Sequence, residues 1–202
     1  MSEDTNKEGP QPAGKNKPDR LVGFKEGQEK AGKLFAHALK AEQARNYDYA
    51  VELFVQGLAY WPDALDEGLQ KLWLVATNRQ RVGGKPPGFL VARKYPIGGK
   101  DYPKALNNAL HLFGLNPNDL SYMESILHLA AKAHCDVVAQ WIAPILTNAY
   151  KTGKKLAANH YQAACESMQS CADLAIEYDN DSGAMEILKC CGLVAHLWGQ
   201  HY

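Results

Sequence analysis

KAGKLFAHALKAEQARNYDYAVELFVQGLAYWPD, residues 30–63, reads as two helices closed into a hairpin. In the first half Leu34, Ala38, Ala41 and Ala44 recur at three- and four-residue steps, the spacing that gathers side chains on one helical face. Ala50, Phe54, Gly57 and Leu58 do the same in the second half. Between them lies Arg45-Asn46-Tyr47-Asp48, in which Asn46 or Asp48 offers the side-chain oxygen that caps a new helix. Pro62 ends the second helix, because the residue before a proline is pushed out of the helical region. Ala38, Ala50 and Gly57 let two helix backbones approach closely, and Phe54 fills the space beyond them.

This stretch resembles a tetratricopeptide repeat, a helix-turn-helix unit of about 34 residues with an A-x3-F…P signature in its second helix. Ala50, Phe54 and Pro62 stand at that signature. Leu34, His37, Ala38 and Ala41 occupy the W-x2-L-G-x2-Y positions, keeping the small residue without the aromatic ones. The Ala50-to-Pro62 spacing returns as Ala105 to Pro117, and Ala139 lies one repeat length beyond Ala105. Met123, Ile126, Leu127, Ala130, Ala139 and Ala143 follow the phase of the first copy, as do Met168, Cys171, Ala172, Ala175, Ala184 and Leu188. The resemblance implies an all-α fold, a right-handed superhelical stack of about four hairpins with Ala50, Ala105, Ala139 and Ala184 inside it. Proteins of this kind hold a peptide or a helix in a concave groove lined by the first helix of every hairpin. Mapped by position, that groove takes Phe35, Leu39 and Gln43 from the first unit and Gln70 and Leu74 from the second. Glu124 and His128 come from the third, Gln169 and Asp173 from the fourth. One apolar end and one acidic end imply an amphipathic partner.

The 202 residues suit one domain with a real core, assigned to 23–202, and 22 cationic against 22 acidic side chains give no argument for nucleic acid as the default partner. No apolar run approaches the roughly 18 residues that cross a bilayer, and residues 1–20 are polar with no signal-peptide core, so the expected address is cytoplasmic. Pro10, Pro12 and Pro18, two glycines and mixed charge leave the first residues too little apolar surface to offset their ordering entropy. A disordered tail over 1–22 is therefore expected.

After the first hairpin, Ala64 to Gln80 reads as a third helix with Leu65, Leu69, Leu72, Trp73 and Ala76 on one face. Trp73 is then either a core filler or an exposed aromatic contact. The glycines and prolines of the following stretch forbid a continuous helix, and repeat arithmetic places an insert at 81–101, inside the second hairpin. Arg79, Arg81, Lys85, Arg93, Lys94 and Lys100 make this stretch positive. It reads as an arm for an acidic surface or a phosphate, or as a solvated connector with Phe89, Leu90, Val91, Tyr95 and Ile97 anchored on the helices. Gly83-Gly84-Lys85 and Gly98-Gly99-Lys100 are not phosphate loops: the G-x4-G-K-[ST] spacing is absent.

Asp101 to Leu115 reads as the closing helix of the second hairpin, with Asp101 a candidate cap. Asn118 or Asp119 caps a helix through Ala133, and Asp136 begins one with Pro144 inside it. The last hairpin runs over about Lys155 to Glu177 and Ser182 to Trp198. Its outer helix is apolar enough, with Leu188, Cys191, Leu193 and Leu197, to need a cap or a second copy of the chain. The five cysteines show no C-x2-C and read as small core residues, with a zinc site at His134, Cys135, Cys190 and Cys191 as the alternative. No nucleophile, metal or cofactor motif is recognisable. The sequence thus implies a protein-binding module or adaptor and no enzyme; the alternative is a homo-oligomeric scaffold assembled through the C-terminal helix.

Overall fold

The computed structural model describes residues 24–201. The tail expected over 1–22 lies outside the described residues. Within them every regular element is helical: α1 (Phe24–Gln43), α2 (Tyr47–Tyr60), a π turn (Leu65–Leu69) running into α3 (Gln70–Arg81), α4 (Phe89–Lys94), α5 (Tyr102–Leu115), α6 (Leu120–Ala133), α7 (Asp136–Thr152), α8 (Ala158–Glu177) and α9 (Asp181–His201).

One turn is used four times. At the end of α1 the Asn46 amide donates to the Ala41 carbonyl (2.9 Å) and Arg45 sits in the left-handed region, φ +60°. The same five-residue bond recurs from Cys135 to Ala130 (2.9 Å) and from Asn180 to Ala175 (2.8 Å), over left-handed His134 and Asp179. These are Schellman ends, which satisfy carbonyls a helix would otherwise leave open. In each, the next helix starts at once. Asn46 caps α2 by accepting from the Tyr49 amide (3.4 Å), and Asn180 accepts from Gly183 N (3.0 Å). Asn180 also donates to Asp136 Oδ2 (2.9 Å), tying two of these turns together.

The fourth copy ends α3, where Gly84 N donates to Arg79 O (2.9 Å) across Gly83, φ +87°. Here the position held by capping Asn46 and Asn180 in two of the other copies is a glycine, and Lys85-Pro86-Pro87 follows. No new helix nucleates at once, because Pro86 and Pro87 remove two amides and hold the residues before them out of the helical region. The chain instead crosses back over residues 82–101. This changes the topology expected from sequence. The start of α5 (Pro103, Leu106) lies by the end of α2 (Leu58, Pro62), and its end lies by the start of α2, so the two run antiparallel. Meanwhile α3 and α5 finish together: Arg79 Nη1 donates to Leu115 O (2.9 Å) and Gln80 Nε2 to Asn116 Oδ1 (3.3 Å). They are parallel helices joined by a crossover and not the two arms of a second hairpin.

From α5 onward short turns restore hairpins. Asp101 caps α5 through Lys104 N (3.2 Å), and Asp119 caps α6 through Ser121 N (3.1 Å). Trp61 and Asn116, each before a proline, are driven to extended backbone (φ −139° and −147°) and stop α2 and α5. Packing then pairs α1 with α2, α2 with α5, α5 with α6, α6 with α8 and α7 with α9, while the π turn packs on α7. The consequence is that α7, not α6, faces the α3 side of the molecule.

Ala50, Ala105, Ala139 and Ala184 are all buried, as their spacing requires. A Cβ on Gly57 would stand 2.3 Å from the Phe35 ring, so only glycine lets that ring lie across α2. The π turn widens one turn of helix, with Leu69 N bonded back five residues to Ala64 O (2.9 Å). That rotates the buried face of α3 onto Leu72, Val75, Ala76 and Arg79, leaving Trp73 45% exposed instead of in the core.

Arg79 sits where α2, α3, α5 and the crossover meet. Its Nε donates to Asp48 Oδ1 (2.6 Å) and its Nη1 to both Lys85 O and Leu115 O (2.9 Å each). Asp48 is largely exposed, so the ion pair itself contributes little and the two carbonyl bonds carry most of the effect. Arg79→Ala is expected to cost about 2 kcal/mol or more in urea unfolding, and Arg79→Lys to recover only part of it, since an ammonium lacks the planar fork.

Candidate functional site

Three of the concavities between helices bear on function. The largest, about 860 Å³, separates α3 from α7. Its α3 wall is Gln70, Trp73, Leu74 and Thr77; its α7 wall is Trp141, Pro144, Ile145 and Asn148, a stripe at helical spacing. Trp73 and Leu74 are 45% and 46% exposed, although they adjoin each other on a groove wall. Trp141 is buried and stands edge-on to Phe113, with ring centroids 5.6 Å apart. Its indole N–H finds no acceptor among the described residues, so packing alone fixes this ring. Lys71 and Arg81 bring positive charge to the groove, and none of its lining residues is acidic.

A second cavity, about 390 Å³, lies between α6 and α8. Glu124 organises it. It accepts from Tyr150 Oη (2.7 Å) and meets His160 Nδ1 at 2.9 Å through Oε1 and 3.1 Å through Oε2. Burial, and then the bond to Glu124, push the Tyr150 hydroxyl well above its ordinary range, so it remains a donor. Ser121 and Ser125 bond within their own helix region, to Asp119 Oδ1 and Ser121 O (2.6 Å each). The constellation ties α6, α7 and the start of α8 to one carboxylate.

The third, about 410 Å³, lies under the crossover. Tyr95 stacks on His111 with centroids 3.9 Å apart, while Asp48, Glu52, Lys85 and Lys94 surround them. Burial pushes the His111 imidazole down to about 4, against the opposing pull of Asp48.

The residues assigned to a single groove therefore divide. Gln70 and Leu74 line the α3–α7 groove, whereas Glu124 and His128 line the α6–α8 cavity. Leu39 and Gln43 are exposed on α1, and Gln169 is exposed on α8, where it donates to Asp173 (3.0 Å). Phe35 is corrected: it is buried and stacked on Phe54 at 5.8 Å, because Gly57 opens space for it. Arg79 is likewise corrected from contact loop to buried tie, while Arg81, Lys85, Arg93, Lys94 and Lys100 are exposed. The expected anchors also divide. Tyr95 and Ile97 pack down, but α4 buries nothing and Phe89 and Leu90 stand in water. Sequence reasoning missed Trp141, Pro144 and Ile145, since a stripe at helical spacing reads as core.

Cysteines pack as small apolar residues: burial lifts the Cys171 thiol to about 12, and burial with the neighbouring Cys191 lifts Cys165 equally. Among the described residues no three His, Cys, Asp or Glu side chains converge on a metal position.

His111 makes stability depend on pH. Its folded pKa lies below the ordinary value near 6.5, so its contribution is complete above that value and is lost as pH falls towards about 4. Urea titrations of wild type and His111→Gln are expected to diverge over that window by up to about 3 kcal/mol. Parallel curves would place the imidazole in water. The chain matches no protein-family model, no curated protein and no solved structure, so the geometry itself carries the functional reading.

Proposed function

We propose that the protein is an interaction module of the tetratricopeptide type in its hairpins, and that its ligand site is the α3–α7 groove. The carrying observation is Trp73 and Leu74, half exposed on a cleft of about 860 Å³ whose charged residues are Lys71 and Arg81. Tryptophan in a concave apolar setting is the side chain that contributes most to protein association, and a cleft of this size holds one face of a helix or a short extended peptide. Lys71 and Arg81 select an acidic sequence, while Gln70, Thr77 and Asn148 offer donors and acceptors that fix its register. The partner is thus an amphipathic, acidic segment of another protein.

A second reading rests on α9. Ala184, Ile187, Cys190 and Val194 face the core, yet Met185 (60% exposed) and Leu188 (39%) form an outward pair. An apolar outer face on a terminal helix suits a second copy of the chain, giving a scaffold.

The first reading is tested with an array of amphipathic peptides pairing Leu or Phe at helical spacing with Glu. Selected peptides should bind wild type and lose about 2 kcal/mol, some thirtyfold, with Trp73→Ala. Lys71→Glu with Arg81→Glu should weaken binding and flatten its salt dependence. Equal binding of scrambled peptides sinks the groove as a specific site. For the second reading, light scattering across concentrations should show a dimer that Met185→Glu with Leu188→Glu dissociates; a persistent monomer removes it.

A further inference from the structure

We infer that the crossover is a membrane-surface anchor: Phe89 and Leu90 enter the acyl boundary of an anionic bilayer while the cations around them meet its phosphates. The inference is independent of the groove and uses residues on another part of the molecule.

Three observations converge. The crossover is held at two places and projects between them. Arg79 grips the Lys85 carbonyl at one end; at the other, Tyr95 stacks on His111 and Asn108 Nδ2 donates to Pro96 O (2.8 Å). Between those anchors α4 has no buried residue, and Phe89 and Leu90 are 78% and 74% exposed, the two most exposed large apolar side chains among the described residues. Stability of the fold does not require them to be apolar. Charge is the third observation. No acidic residue occurs between Glu67 and Asp101, whereas Arg81, Lys85, Arg93, Lys94 and Lys100 are exposed there. Asp48 and Glu52 face Lys85 and Lys94 from the cavity beneath, but Asp48 is already engaged by Arg79, which leaves the projection positive.

Shape and charge together favour one occupant. A groove accepts a side chain from a partner; a projecting pair of large apolar side chains needs an apolar medium or pocket to enter, and the positive surround favours an anionic bilayer. The interfacial zone of a bilayer supplies that medium, and anionic headgroups supply the counter-charge for the basic side chains beside them. No helix of the described residues is long and apolar enough to cross a membrane, so the attachment is at the surface. Arg93 lies one helical turn beyond Phe89 and Lys94 one turn beyond Leu90, the spacing that places a cation beside each inserted side chain. Two apolar residues with a basic cluster give reversible, salt-sensitive binding rather than permanent anchoring.

The test uses the full chain and vesicles of phosphatidylcholine alone or mixed with phosphatidylglycerol. Co-sedimentation is expected with the anionic vesicles only, released by salt. Phe89→Ser with Leu90→Ser should lower partitioning about tenfold or more at unchanged thermal unfolding, and Arg93→Glu with Lys94→Glu should do the same. Phe89→Trp should add a blue-shifted tryptophan emission on anionic vesicles that wild type lacks. Absence of sedimentation overturns the inference, as does a serine variant that partitions like wild type, which would reduce the loop to electrostatics. Binding to single-stranded oligonucleotides but not to vesicles would reassign the surface to nucleic acid.

Discussion

Arg79 joins α2, the crossover and α5 through one side chain. Its guanidinium holds the exposed Asp48 at the start of α2, the Lys85 carbonyl at the start of the crossover and the Leu115 carbonyl at the end of α5. A buried arginine is costly unless its donors are used, and Nη1 alone donates to two carbonyls here. The Leu115 carbonyl is one of those a helix end leaves without an internal partner, so the same bond stabilises the terminus of α5. Gly84 lies directly over the side chain: a Cβ there would be 2.6 Å from Arg79 Cγ and 2.8 Å from Nη1. The glycine pair after α3 is therefore a structural requirement of this tie.

Fixing the crossover fixes the order of the helices beyond it. Because α5 returns antiparallel to α2, the next hairpin presents α7 to the side on which α3 lies. The groove exists for that reason. Its walls come from a helix whose phase was turned by a π bulge and from one placed there by a reversal of chain direction. Trp73, on the first wall, is 45% exposed.

The two proposed surfaces differ physically as their occupants do. The α3–α7 groove is concave and bounded by rigid helices, so it discriminates by shape and register. The crossover projects, and its Phe89 and Leu90 are 78% and 74% exposed. Both carry positive charge in a chain with equal numbers of cationic and acidic side chains, so the asymmetry is one of placement. A protein that bound an acidic segment in the groove while resting on an anionic surface would present that segment at the membrane.

Local chemistry along the chain was sufficient for the helices, their caps and the core. Asn46, Asp101 and Asp119 cap as expected, prolines end α2 and α5, and Ala50, Ala105, Ala139 and Ala184 are buried at a spacing readable from sequence. These depend on contacts within a few residues or on a periodicity that any helix must obey. Tertiary structure alone decided that α3 and α5 are parallel, that Phe35 is core, that Arg79 is a tie and that Trp73 faces a groove lined by α7. Each of these turns on which distant segments become neighbours. Two prolines after the turn that ends α3 redirected the chain, and a repeat signature carries no term for that.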